Sequence, residues 1–202
     1  MNRKFLNTLL LLLLSGQFAW ADTAWESAKD EEGIRVYTRE VDGWDVEEFK
    51  VITIMKVKRY IIFETLMNVA AYTTWYPDIV HAEVCKTVSE KEFYWYSQID
   101  LPWPTEDRDS ECHVIVTHNK EEKTSLISLT ACEKYKSRQD GYTRMTKGKG
   151  FWKLTSREDG STTVHYQYLS DPGGSIPDWI TNMFIVDNPF NTVKALKTKV
   201  NG

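Results

Sequence analysis

The 202-residue sequence predicts an α+β fold in which a strongly curved antiparallel sheet wraps a long C-terminal helix and encloses a volume between them. Two observations carry this. From Ile79 to Leu169 strand-like segments follow one another across short polar turns, the pattern of an antiparallel meander. From Ile176 onward apolar residues recur at helical spacing, at Trp179, Ile180, Met183, Phe184, Val186, Phe190, Val193, Leu196 and Val200. Such a stripe needs an apolar surface to lie on. The space left between sheet and helix either fills with side chains or holds a ligand, which at ordinary ligand-site dimensions means roughly 300 to 1,000 Å³.

In chain order, TAWESAKD reads as a short helix, and GIRVYTREV and EEFKVITIMKV as two β-branched strands forming a hairpin around Asp42-Gly43. KRYIIFETLMNVAAYTTWYP has helical spacing at Ile61, Ile62, Leu66, Val69 and Ala70 and must stop before Pro77. Six strand candidates follow: IVHAEVCKTV, EFYWYSQIDL, RDSECHVIVTH, KTSLISLTACE, GYTRMTKGKGFWKLTS and STTVHYQYLS. The last breaks at Pro172-Gly173-Gly174, and Ser175 with Asp178 forms a capping-box pattern that starts the final helix. Asn188-Pro189 kinks or briefly breaks that helix, because proline lacks the donor N–H and crowds the preceding turn.

The N-terminus reads as a secretory signal peptide over residues 1–21. Arg3 and Lys4 precede an apolar core from Phe5 to Leu14, and Ala19-Trp20-Ala21 supplies a small-x-small cleavage site. The expected mature domain is 22–202, a single domain exported to the periplasm or secreted. Cleavage removes Arg3 and Lys4 and no acid, so the formal charge moves from −4 to −6. An acidic mature chain argues against nucleic acid as a partner. Three cysteines, none in a C-x-x-C pair, do not make a disulfide framework, although Cys112 and Cys132 flank HNKEEKT and could bridge two strands if the register brought them opposite.

LPWPTEDRD before a strand, GIRVYTREV near the start and GKGFWKLTSREDGSTTVHYQYLSDPGGSIPDWITN at the end occur in that order, and together they resemble the START family, the steroidogenic acute regulatory-related lipid transfer domains. The likeness spans Trp25 to Val200. It implies a helix-grip fold with a tunnel for one sterol-like, phospholipid or other apolar lipid, carried without chemistry or cofactor by a monomer that touches membranes transiently. It also implies that the Leu101–Asp107 loop and the last helix gate the tunnel, and that Pro172, Gly173 and Gly174 set the angle at which this lid leaves the sheet. Arg108 and Asp109 take a structural role, pinning the loop to the sheet. Several family members carry a buried arginine six residues after the arginine of Arg-Asp; position 114 here is valine, which weighs against phosphatidylcholine.

Strand alternation from Arg108 puts Ser110, Cys112, Val114 and Val116 on the tunnel face, a mildly polar entrance running to apolar depth. Trp75, Tyr76, Trp95, Tyr96, Trp152 and Tyr166 are candidates to stack on the ligand, with Trp95 and Tyr166 foremost. Trp103, held between Pro102 and Pro104, faces Trp179, Ile180, Met183 and Phe184 in a proposed apolar lip at the tunnel mouth; the bland reading is that it packs as a core plug. The four histidines stand singly and match no metal spacing. KGKGFW lacks the G-K-[ST] of a phosphate loop, and Lys147, Lys149 and Lys153 read as one solvated strand face. The alternative function is a cyclase- or hydrolase-type enzyme on the same fold, which needs titratable groups, such as His113 or His165 beside a carboxylate, pointing into the tunnel.

Overall fold

The computed structural model describes residues 24–174 and 176–202. Ten strands form one sheet: β1 (Glu26–Glu31), β2 (Ile34–Arg39), β3 (Glu48–Met55), β4 (Ile79–Ser89), β5 (Glu92–Ile99), β6 (Asp107–Asn119), β7 (Thr124–Cys132), β8 (Tyr142–Met145), β9 (Lys147–Ser156) and β10 (Thr162–Asp171). Their order across the sheet is β1-β2-β3-β10-β9-β7-β6-β5-β4, with β8 attached to β6. All pairings are antiparallel except β6 with β8, which is parallel. The last strand β10 returns to β3, so the first hairpin and the meander make a single surface.

Helix α1 (Arg59–Met67) buries Ile62 and Leu66, one turn apart, and a 3₁₀ helix (Val69–Thr74) carries the chain to Pro77. Tyr72 closes this crossover by donating its hydroxyl to the carbonyl of Leu66. The C-terminal segment is α2 (Asp178–Asn182), a π-helical turn (Met183–Asp187) and α3 (Asn188–Asn201). The π turn ends at Asp187, one residue before Asn188-Pro189 opens α3, and the missing donor of Pro189 disrupts the regular hydrogen-bond ladder there, so the predicted break lies just N-terminal to the proline. On α3, Phe190, Val193 and Leu196 are buried and face β2, β3 and α1. They join Ile34, Val36, Val51 and Met55 in the core, where each such side chain contributes roughly 1.5 to 3 kcal/mol by leaving water.

Four sequence expectations change. Residues 26–30, the latter part of TAWESAKD, belong to the edge strand β1, paired to β2 with a bulge between Ser27 and Lys29; their local helix propensity yields to the hydrogen bonds β2 offers. GYTRMTKGKGFWKLTS is two strands, because the chain leaves β6 after Met145 and rejoins the sheet at Lys147 opposite Asp171 of β10, meeting β7 from Lys149. The final helix begins at Asp178 behind an extended Pro177 (φ −64°, ψ 153°), and the capping box rests on Ser175, which lies outside the described residues, as does the leader 1–21. Cys112 pairs with Ala131 and Cys132 with Glu111, so the two thiols point to opposite faces and stay free.

At Asp109 and Glu111 the outer face of β6 is also buried, by β8 and the segment that precedes it. Arg144 donates two hydrogen bonds to Asp109, Nε to Oδ1 at 2.8 Å and a terminal nitrogen to Oδ2 at 2.7 Å, and Tyr96 donates a third at 2.9 Å. The backbone N–H groups of Lys134, Tyr135 and Lys136 each reach the Glu111 carboxylate at 3.0 Å. Desolvation pushes the Glu111 pKa up, but these amide bonds and the Cys132 thiol outweigh it and hold it below the ordinary value of 4.5.

Two outcomes follow from this buried layer. Asp109→Ala leaves the Arg144 guanidinium buried without its carboxylate and should lower unfolding stability by roughly 3 to 5 kcal/mol, measured by urea denaturation. Glu111 has a depressed folded pKa, so its contribution is complete above 4.5 and is lost as pH falls through the lower folded value. Glu111→Gln should therefore flatten the acid limb of the stability-versus-pH curve, read from melting temperatures at successive pH values.

Candidate functional site

A cavity lies on the concave face of the sheet, between β5, β6, β7, β9 and β10 and the helical segments. The cavity volume is about 120 Å³, below the range of roughly 300 to 1,000 Å³ usual for ligand sites, within a void of about 1000 Å³ that includes the open mouth. The inner part is narrow, so a lipid-sized occupant requires the walls to move apart.

Strand alternation builds the walls. Phe93, Trp95, Ser97 and Ile99 of β5 lie opposite Val114, Cys112, Ser110 and Arg108 of β6, and the same alternation on β10 presents Tyr166, Tyr168 and Ser170. Trp152 on β9 stacks on Tyr166 with ring centres 3.9 Å apart and an interplanar angle of 3°. Phe49 of β3 meets the Tyr166 ring edge-on at 5.0 Å, and the Tyr76 and Tyr166 hydroxyls lie 3.4 Å apart. Aromatic faces therefore cover one side of the cavity, while Leu66, Val114, Ile127 and Leu129 supply aliphatic depth.

No Asp, Glu, His, Lys or Arg is among the described residues that line this cavity. The titratable groups that do line it are held protonated by burial, which raises Tyr76, Tyr166 and Tyr168 above the ordinary tyrosine value and pushes the Cys112 thiol up to about 12. At neutral pH the described lining carries no net charge. His113 instead lies 2.9 Å from Glu92 and stacks on Tyr94, and His165 pairs with Gln167 at 3.1 Å; neither lines the cavity.

At the mouth, Arg108 is buried and spends its guanidinium on backbone carbonyls. Nε donates to Pro172 at 2.7 Å, one terminal nitrogen to Gly173 at 3.0 Å and the other to Glu106. One side chain thus ties the Leu101–Asp107 loop to the Pro172-Gly173-Gly174 hinge. Both glycines have positive φ, 70° and 68°, where a side chain would be strained. Asp171 accepts the Gly173 N–H at 2.8 Å and fixes the same turn. Asp109 is on the other face of β6 and takes no part in this clamp, so Arg108 and Asp109 anchor two different segments rather than acting as one pair.

Of the expected ligand contacts, Ser110, Cys112, Val114, Trp95 and Tyr166 line the cavity. Val116 shares their face of β6 but lies beyond the void, in filled core at 2% exposure. Tyr96 faces outward to Asp109, and Trp75 packs against Tyr72 and Tyr76 without lining the cavity. At the expected lip, Trp103 is 90% exposed, which removes the core-plug reading, and Trp179 is 50% exposed. Phe184 lines the cavity and Met183 is half-buried, whereas Ile180 is fully buried and drops out of any exposed lip. Tyr168, Ser97, Ser170, Tyr72 and Phe49 were not expected; Ser97 stands two residues from Trp95, and that period of two is the signal that finds it.

Comparison with known proteins gives this geometry a family. The chain is 34% identical over 174 residues to an uncharacterized protein of Pseudomonas aeruginosa, covering 86% of this chain and 85% of that one. It is 24% identical over 173 residues to the phosphatidylcholine transfer protein of Bos taurus, covering 81% and 78%. A crystal structure of a STAR-related lipid transfer protein from Xanthomonas axonopodis superposes with a TM-score of 0.81 at 32% identity, over 88% of this chain and 99% of that one. The START domain model matches residues 7–201, and the chain belongs to the START domain family.

Proposed function

We propose that this protein binds one apolar or amphipathic lipid in the concave cavity and carries or sequesters it outside the cytoplasm, after removal of residues 1–21. Membership of the START family supports lipid binding. The observation that carries the finer reading is the uncharged, aromatic-walled interior beneath a clamped lid. A sixteen-carbon chain gains on the order of 12 kcal/mol on leaving water, at ~0.8 kcal/mol per methylene before entropic losses. A lipid taken from a membrane gains almost none of this, because its tail exchanges one apolar medium for another. Selection therefore falls to the polar end of the ligand, and the rate falls to the lid.

With Val114 fully buried in the wall, an anionic phosphate inside has no cation to pair with, and burying it unpaired is costly. A lipid with a small neutral polar group, such as a sterol, hopanoid or fatty alcohol, is the favoured ligand class. Native mass spectrometry after incubation with vesicles containing phosphatidylcholine and a sterol should show sterol retained in preference to phospholipid. Val114→Arg should shift that ratio toward phospholipid, and an unchanged ratio in a folded variant removes the headgroup argument.

Transient membrane contact is assigned to the exposed indoles of Trp103 and Trp179, since indoles favour the boundary between headgroups and tails. Trp103→Ala should slow lipid transfer between vesicles severalfold while changing the melting temperature little, because a 90% exposed side chain contributes little packing. Transfer at the wild-type rate rules out the membrane role.

A further inference from the structure

We propose that the hydroxyls of Ser97, Ser110, Tyr168 and Ser170 form the recognition site for one uncharged oxygen function of the ligand, a hydroxyl or a carbonyl. The ligand then lies with its polar end beneath the lid and its hydrocarbon end toward Val114. This deepens the lipid-binding reading above and rests on it.

The first support is hydrogen-bond bookkeeping. All four residues line the cavity, and among the described residues none of the four hydroxyls has a side-chain hydrogen bond. Other polar groups nearby are committed: the Tyr76 and Tyr166 hydroxyls face each other at 3.4 Å, and the Cys112 thiol approaches the His113 carbonyl at 3.7 Å. None of the four is among the fully buried polar atoms left without a partner, so their oxygens open onto the cavity and are free to bond a polar occupant.

Register places the hydroxyls in two sets, one on each wing of the sheet, at one end of the cavity. Ser97 pairs directly with Ser110 across β5 and β6, and Met145 of β8 pairs with Ser110 on its other side. On the opposite wing Ser170 pairs with Gly148 and Tyr168 with Gly150. Both wings put their hydroxyls at the end of the cavity near Arg108 and the hinge, whereas the other end carries Phe93, Val114 and Ile127.

The KGKG stretch explains how Tyr168 is held. A Cβ on Gly148 would come within 2.7 Å of the Tyr168 hydroxyl oxygen, and one on Gly150 within 2.4 Å of its ring and 2.2 Å of the Gln167 carbonyl. The two glycines form a flat bed on β9 against which the Tyr168 ring lies, while Lys147 and Lys149 point to solvent. The phenol keeps its proton in this setting, since burial raises its pKa, and can donate as well as accept. The site offers no charge, and the nearby Arg108 has each guanidinium nitrogen occupied by a carbonyl.

The test compares two probes that differ by one oxygen, 1-hexadecanol and hexadecane, titrated from cyclodextrin and read through the fluorescence of Trp95 and Trp152. Wild type should prefer the alcohol by about tenfold, the scale of one or two net hydrogen bonds. Tyr168→Phe, and separately Ser97→Ala with Ser110→Ala, should reduce that preference to about twofold while hexadecane affinity stays within twofold of wild type. Melting temperatures identify a variant that fails to fold, in which case the other variant decides. Equal affinity of wild type for both probes, or an alcohol preference retained by folded variants, overturns the hydroxyl site and leaves lipid binding standing. Failure of wild type to bind either probe overturns the lipid-binding reading and this proposal with it.

Discussion

The first part of strand β6, from Arg108 to Cys112, is enclosed on both faces, and its register is the constraint on which the rest of the molecule depends. Ser110, Cys112 and Val114 point into the cavity, while Asp109 and Glu111 point into a polar layer closed by Arg144, Tyr96 and three backbone amides. A slip of one residue would exchange the two sets and drive two carboxylates into an apolar space. Each carboxylate buried without a partner costs several kcal/mol, so the polar layer makes the correct register far more favourable than its neighbour. The cavity owes its neutrality to a strand whose buried carboxylates face the other side and whose one arginine on the cavity face is spent on carbonyls at the mouth.

The same strand governs the lid. Arg108 sits at the mouth end of β6 and donates to carbonyls on both the Leu101–Asp107 loop and the Pro172-Gly173 turn. Outward movement of either segment must break charge-assisted hydrogen bonds, each typically worth about 1.5 to 3 kcal/mol, unless water or the moving backbone replaces them. Two consecutive residues with φ near 70° make the hinge bend sharply, and only glycine takes that conformation twice in succession at low cost. Proline before them keeps its carbonyl in reach of Arg108. The Pro-Gly-Gly junction is thus a fixed exit angle clamped by one guanidinium.

Features set by local period were legible in the sequence. Period-two alternation placed Ser110, Cys112 and Val114 on one face, and helical spacing found the stripe that α3 buries. Features set by distant pairing were not. TAWESAKD has the composition of a helix, and its latter part becomes a strand only because β2 has an open edge. β8 was hidden because its partner β6 is more than thirty residues away and runs parallel to it. Val116 continues the cavity face in sequence, yet the interior is already filled at that depth, which alternation cannot report. Asp109 looked like the partner of Arg108, its neighbour, but adjacent strand residues face apart; its true partner, Arg144, is 35 residues on.

An uncharged cavity also limits what kind of selectivity is attainable. Neutral hydrogen bonds contribute roughly 0.5 to 1.5 kcal/mol each, so a few of them discriminate between ligands by one or two orders of magnitude rather than absolutely. A charged pocket would discriminate more strongly, but it would also hold a headgroup that must be released at the next membrane. In a carrier, affinity for the tail is nearly balanced by the membrane at both ends of the journey, and a weak polar grip keeps loading and unloading close to equal in free energy. On the proposed carrier function, the barrier to exchange resides in the Arg108 clamp and in widening the narrow interior, both of which belong to the protein and not to the ligand.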